Sequence, residues 1–165
     1  MGEPLALQAM QRTLHWRTED DTQAFAQRLA QVAPVRDALI TLHGDLGAGK
    51  TTLVRHLLRA LGVGGRIKSP TYAVVEPYDT TVDDTPLSIW HFDCYRFGDP
   101  REWEDAGFRD VFASPGLKLV EWPEKAAGVL PVPDLEVWMA VQDDDSRTVT
   151  LRAGTPRGQA LLDAT

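Results

Sequence analysis

The sequence predicts an α/β protein, and three observations carry that expectation. A short apolar run, Ala38-Leu39-Ile40-Thr41-Leu42, leads into the glycine-rich stretch HGDLGAGKTT at 43–52, and an amphipathic helical pattern follows. Two further runs, Tyr72 to Tyr78 and Leu87 to Asp93, read as strands and lie close enough together to pair antiparallel. Helical periodicity recurs between the strand-like runs, as a layered sheet-and-helix domain requires.

Taken in order, residues 1–12 show little periodicity and read as a loose N-terminal tail. Thr13 to Thr18 alternates and suits an edge strand. Asp20 or Asp21 offers an N-cap to a helix whose apolar residues are Phe25, Leu29, Val32 and Ala33, stopped by Pro34. Residues 38–42 form a buried strand. After the glycine loop, Val54, Leu57, Leu58 and Leu61 place one apolar stripe on a helix that ends at Gly62. The acidic segment DTTVDDTP (79–86) reads as a loop between the two antiparallel strands. Residues 99–113 open with Asp-Pro and predict one or two short helices. Leu117 to Trp122 is a strand running into Pro123, with a helical turn over Glu124 to Ala127. Leu135 to Val141 and Thr148 to Arg152 are strands around the turn-like DDDS, and 155–165 reads as a C-terminal tail.

A length of 165 residues suits a single domain over 1–165. The 43% hydrophobic and 25% charged fractions are ordinary for a globular chain. A net charge of −7 argues against a protein that grips nucleic acid by itself, since that binding depends on releasing counterions from phosphates. The lone Cys94 cannot form an internal disulfide, no run approaches the length of a membrane span, and the start lacks a signal-peptide pattern. A soluble, cytoplasmic protein is the expectation.

The glycine stretch matches G-x-x-x-x-G-K-[ST] at Gly44, Gly49, Lys50 and Thr51. Glycines let successive backbone N–H groups converge on an anion, and the following helix adds its positive end. Lys50 would reach the β- and γ-phosphates and the Thr51 hydroxyl would ligate Mg²⁺. The strand before the motif and the helix after it are the context the motif needs. Such a site also needs a carboxylate near the metal at the end of a neighbouring strand; Asp93 and Glu121 both have that placement, and the pattern alone does not rank them. The loop around Ser69 and Thr71 could carry a hydroxyl toward the γ-phosphate. His91 and Tyr95 flank Asp93, where packing or local hydrogen bonding is the simpler role, and His43 reads as structural. One cysteine and four scattered histidines offer no metal-thiolate spacing. Arg55 and Arg59, one helical turn apart, read as a solvated helix face.

These motifs, in this order, resemble the TsaE (YjeE) family of small P-loop ATPases that act in the biosynthesis of threonylcarbamoyladenosine in tRNA. The stretches that carry the resemblance are GDLGAGKTT (44–52), KSPTY (68–72) with VEP (75–77), HFDCYR (91–96) and LVEWPE (119–124). The resemblance implies a P-loop NTPase-like three-layer fold, with a mixed parallel/antiparallel central sheet and helices on both faces. It implies ATP and Mg²⁺ as bound cofactors. Asp45, Leu46, Gly47, Ala48, Gly49, Lys50, Thr51 and Thr52 would surround the phosphates. Glu121 would join Thr51 at the metal, Asp93 would be a second acid that positions the metal shell or water, and Trp122 would stand beside the nucleotide. Ser69 and Thr71 would be the switch-loop hydroxyls. Lys50, Asp93 and Glu121 are the implied catalytic groups. Cys94 stands in HFDCYR where an aliphatic is expected.

The family resemblance further implies an accessory ATPase, weak alone, that works with the TsaD–TsaB pair and meets tRNA only through that pair, with no role at a membrane or on DNA. A stand-alone small-molecule kinase would need an acceptor pocket and an arginine-bearing lid, and Arg96, Arg101 and Arg109 form no recognisable one. A binding module in which only the nucleotide-bound state matters is the other alternative. No [NT]-K-x-D guanine-reading motif occurs, which favours adenine.

Overall fold

The computed structural model describes residues 10–68, 75–95 and 107–165. Seven strands form one sheet in the order β1-β7-β6-β2-β5-β4-β3. They are β1 (Gln11–Trp16), β2 (Leu39–His43), β3 (Val75–Val82), β4 (Thr85–Asp93), β5 (Leu117–Glu121), β6 (Leu135–Val141) and β7 (Arg147–Ala153). The four central strands, β6, β2, β5 and β4, run parallel, while β1 and β7 on one side and β3 on the other pair antiparallel. The sheet is therefore mixed, as the family resemblance implies.

Burial follows the pleat. Strand β2 lies at the centre, and its Leu39, Ile40, Thr41 and Leu42 are all buried, as a parallel strand covered on both faces demands. Strand β6 alternates instead, sending Leu135, Val137 and Met139 into the core and leaving Trp138 and Ala140 exposed. On the main core face lie helices α1 (Glu19–Ala30), α2 (Lys50–Ala60) and α4 (Pro156–Asp163). Phe25 and Leu29 of α1, Leu53, Leu57 and Leu58 of α2, and Leu161 and Leu162 of α4 pack there against Ile40, Leu42, Leu119, Val137 and Leu151. On the opposite face a smaller cluster forms around Phe92, Leu39 and Val120. Helix α3 (Phe108–Ala113) covers it, with Phe108 and Phe112 5.3 Å and 5.0 Å from the Phe92 ring. Helices thus lie on both faces.

Several boundaries differ from expectation for identifiable reasons. Helix α1 is N-capped by Thr18, two residues earlier than Asp20; Asp21 instead reaches back to accept from the Arg17 and Thr18 amides at 2.7 and 3.3 Å. The acidic segment 79–86 is mostly strand. Asp83 and Asp84 alone make the turn, both with positive φ, so β3 and β4 form a tight hairpin with the twist such turns favour. Strand β1 takes in residues 11 and 12 of the expected N-terminal tail. The expected C-terminal tail holds α4. Thr155 caps it by accepting from the Gly158 amide at 3.1 Å, Pro156 opens its first turn, and its leucines are buried. The first part of the helices expected over 99–113 lies outside the described residues.

Asp134, just before β6, ties the lower end of the sheet together. Its carboxylate accepts from the Leu39 amide at 2.7 Å and from the Thr155 hydroxyl at 2.6 Å. Its own amide donates to the Leu39 carbonyl at 2.9 Å. At one edge of the sheet, β3 carries Pro77 opposite Trp90 of β4. Among the described residues, no helix is long and apolar enough to cross a membrane.

Candidate functional site

The glycine loop leaves β2 at its carboxyl end, where the central parallel strands all terminate. Gly44 turns the chain with φ near +146°, and a Cβ there would sit 2.5 Å from the Met139 carbonyl of the neighbouring strand, so no side chain fits. A turn closes between Asp45 and Ala48, and Gly49 begins α2 with φ +105°. No side chain caps this helix, which leaves its first-turn N–H groups free to meet an anion. From the far side, Arg147 of β7 donates through Nε to the Ala48 carbonyl at 3.2 Å and braces the loop.

Lys50, the first residue of α2, is only 5% exposed. Its ammonium donates to the Gly44 carbonyl and lies 3.6 Å from the centre of the Trp122 ring. Burial holds its pKa below the usual lysine range, against the opposing pull of the Glu121, Glu124, Asp93 and Asp45 carboxylates. The next residue, Thr51, donates its hydroxyl to both Glu121 oxygens at 3.0 and 3.2 Å. Glu121 closes β5 and is 2% exposed. Its Oε2 also meets Nε2 of His91 at 2.6 Å, from the adjacent strand β4. The two candidate acids are thereby distinguished: Glu121 contacts Thr51, whereas Asp93 stands beside it in register and accepts from the Tyr95 amide at 3.0 Å. Burial first, and then the charge of Glu121, raise the Asp93 pKa.

Trp122 leaves β5 in the left-handed region, φ 55° and ψ 50°, an uncommon conformation for so bulky a residue. The short 3-10 turn Pro123–Ala126 follows at once, so this kink is what swings the indole over Lys50 and against Tyr95, 4.9 Å away. Asp45, Leu46, Gly47 and Ala48 build the outer loop, with Leu46 70% exposed. Thr52 and Gly49 line a cavity of about 190 Å³ with Trp16, Thr22 and Arg147. Ser69 and Thr71 lie outside the described residues. His43 is structural, as its position before the loop suggests: its ring stacks on Trp138 at 3.9 Å and bonds Thr41 at 2.9 Å, and burial lowers its pKa to about 4.

The sequence reading leaves His91 between a site residue and packing or local hydrogen bonding; it bonds Glu121 on the neighbouring strand, and its spacing of two from Asp93 puts both side chains on one face of β4. Arg147 lies 99 residues from the carbonyl that it braces, and nothing local marks it.

Among the described residues, no group of three or more His, Cys, Asp or Glu side chains forms a metal cage. Among the described residues, Thr51 and Glu121 stand in contact and offer a hydroxyl and a carboxylate as oxygen donors. That donor set suits a cation such as Mg²⁺, which keeps waters and shares phosphate oxygens and is seldom enclosed by protein alone. The site thus fits a metal that arrives with a phosphate group.

A strand, an uncapped glycine loop and a helix at the carboxyl edge of a parallel-centred sheet define the class of P-loop α/β proteins. Within that class the relationship is specific. Residues 16–149 match the family model described as threonylcarbamoyl adenosine biosynthesis protein TsaE. The chain is 41% identical over 140 residues to the tRNA threonylcarbamoyladenosine biosynthesis protein TsaE of Haemophilus influenzae, covering 85% of each chain. It is 36% identical to the protein of the same name from Bacillus subtilis, covering 92% of this chain and 93% of that one. The crystal structure of Bacillus subtilis YdiB superposes with a TM-score of 0.74 at 29% identity, covering 93% of this chain and 92% of that one. The chain belongs to the TsaE family.

Proposed function

We propose that this protein binds and hydrolyses Mg-ATP as an accessory ATPase of tRNA threonylcarbamoyladenosine formation, working with the TsaD–TsaB pair. The observation that carries the reading is the hydrogen bond from Thr51 to Glu121, which brings together across 70 residues the two oxygen donors that a phosphate-bound metal needs. The names carried by the relatives supply the tRNA-modification role.

In this reading the loop amides and the start of α2 hold the β- and γ-phosphates. Lys50 leaves the Gly44 carbonyl and the Trp122 ring to pair with the γ-phosphate, exchanging a weak cation–π contact for a full charge pair. Thr52 and Arg147, on the side of the small cavity, face the remainder of the nucleotide. Mg²⁺ bound by Thr51 and Glu121 would neutralise charge that develops on the phosphate oxygens. Asp93, held by the Tyr95 amide, orients the attacking water, whose oxygen bonds to the γ-phosphorus as the bond to the β–γ bridging oxygen breaks, leaving ADP and inorganic phosphate.

The test is steady-state ATP hydrolysis by the purified protein, with and without TsaD–TsaB, with Lys50→Ala as the blank. Slow turnover alone, stimulated by the pair and lost in the variant, is the expected result. Fast turnover indifferent to the pair would leave a free-standing enzyme in its place.

A further inference from the structure

Glu121 is a carboxylate inside the protein with two donors. One of them, the Thr51 hydroxyl, is the group that the proposed function assigns to the metal. A hydroxyl that turns its lone pairs toward a cation remains free to donate its proton, but its direction is then set by the cation and no longer by Glu121 alone. The second donor has no such conflict. His91 is 1% exposed, is fixed within the sheet on β4, between β3 and β5, and places Nε2 2.6 Å from Glu121 Oε2. Its Nδ1 is buried with no hydrogen-bond partner among the described residues. A ring with one partnered and one bare nitrogen is best satisfied with its proton on the partnered side, because an unpaired buried N–H costs more than an unpaired lone pair. Nε2–H then donates to Glu121.

We infer that His91 is a positioning residue for the metal ligand Glu121: it holds Oε2, so that Oε1 stays presented toward Thr51 and the phosphate-bound cation. The inference rests on the Mg-nucleotide reading of the site. It adds to that reading a dependence of metal binding on a residue that touches neither metal nor nucleotide. Donors that orient a metal's ligands in this way commonly change metal affinity by about 10- to 100-fold when removed.

ADP affinity is measured by calorimetry with and without Mg²⁺, and Mn²⁺ binding to the ADP complex by electron paramagnetic resonance, for the natural protein, His91→Leu and His91→Gln. Glutamine keeps a donor at similar reach. In His91→Leu the tightening of ADP by Mg²⁺ and the Mn²⁺ affinity are expected to fall by about tenfold or more, and in His91→Gln to recover largely. ADP affinity without metal, set by the loop and Lys50, stays unchanged in both and reports that the fold is intact. If His91→Leu keeps the full metal effect, or loses metal-free ADP binding equally, the histidine is a packing residue and the inference fails while the ATPase reading stands. If the natural protein shows no metal-dependent ADP binding, the ATPase reading itself fails, and the inference with it.

Discussion

Glu121 and Asp134 are both carboxylates buried in the same sheet, 2% and 6% exposed, yet they are held in opposite ways. Asp134 accepts from a backbone amide, that of Leu39, and its other oxygen fixes the hydroxyl that caps α4. Three chain segments depend on it, and one of its donors, the Thr155 hydroxyl, also caps α4. Among the described residues, the Glu121 carboxylate accepts from side chains alone, Thr51 and His91, at the carboxyl end of the strands. The Leu39 amide cannot turn away from Asp134, which ties that carboxylate to the fold. A carboxylate bonded to side chains can change partners, which is what a metal ligand must do.

The comparison is broken or sharpened by exchanging the two roles. Glu121→Ala is expected to lower ATP hydrolysis by about a thousandfold, or ~4 kcal/mol of transition-state stabilisation. In the same variant, urea unfolding is expected to shift by about 1 to 2 kcal/mol, less than for Asp134→Ala, since half-buried Thr51 can turn toward solvent and only the buried His91 ring is left without its partner. Asp134→Ala should do the reverse. It strands the buried Leu39 amide and releases the α4 cap, costing about 3 kcal/mol in urea unfolding while the nucleotide affinity of the folded protein is preserved. Comparable stability losses in the two variants would erase the distinction.

A smaller effect isolates one arm of the Asp134 network. Thr155→Ala removes both the cap of α4 and a donor to Asp134, and about 1 to 2 kcal/mol of stability should go with it, read as a lower melting temperature with hydrolysis intact. The last effect is pH-dependent. Folded His43 stays neutral down to about pH 4, whereas the ring in the unfolded chain takes up a proton near 6.5. Between those values protonation favours the unfolded chain. The stability is therefore fully present above about pH 6.5 and is lost as pH falls toward 4. Melting curves of His43→Phe should show a shallower decline over that window than the natural protein; equal slopes would mean that other groups carry the acid sensitivity.

What the sequence made legible was local. The loop, its strand and its helix are contiguous, so Gly44, Gly49, Lys50 and Thr51 could be read from spacing alone, and the leucine stripe of α2 followed from its period. The residue pattern alone left Glu121 and Asp93 unranked and the family resemblance put Glu121 with Thr51; the contact between those two side chains depends on the position of α2 over β5, which no local pattern encodes. The same holds for His91, Arg147 and Asp134, each defined by a partner 30, 99 or 95 residues away. The missed helix α4 is a different case. Its signals, Thr155-Pro156 and a pair of leucines, were present, but short length at a chain end favoured a tail over an element whose stability comes from packing.

The edge strand β3 offers a last lesson. A sheet edge is a row of unsatisfied amides and carbonyls that invites a second chain to pair with it, the first step toward fibrous aggregates. Proline has no amide hydrogen, so Pro77 interrupts that row near its middle, and the neighbouring Glu76 and Asp79 add repulsion between like copies. Colloidal behaviour at high protein concentration is thereby written into the same strand that brackets β4: replacing Pro77 with valine would complete the row and turn a guarded border into an adhesive one.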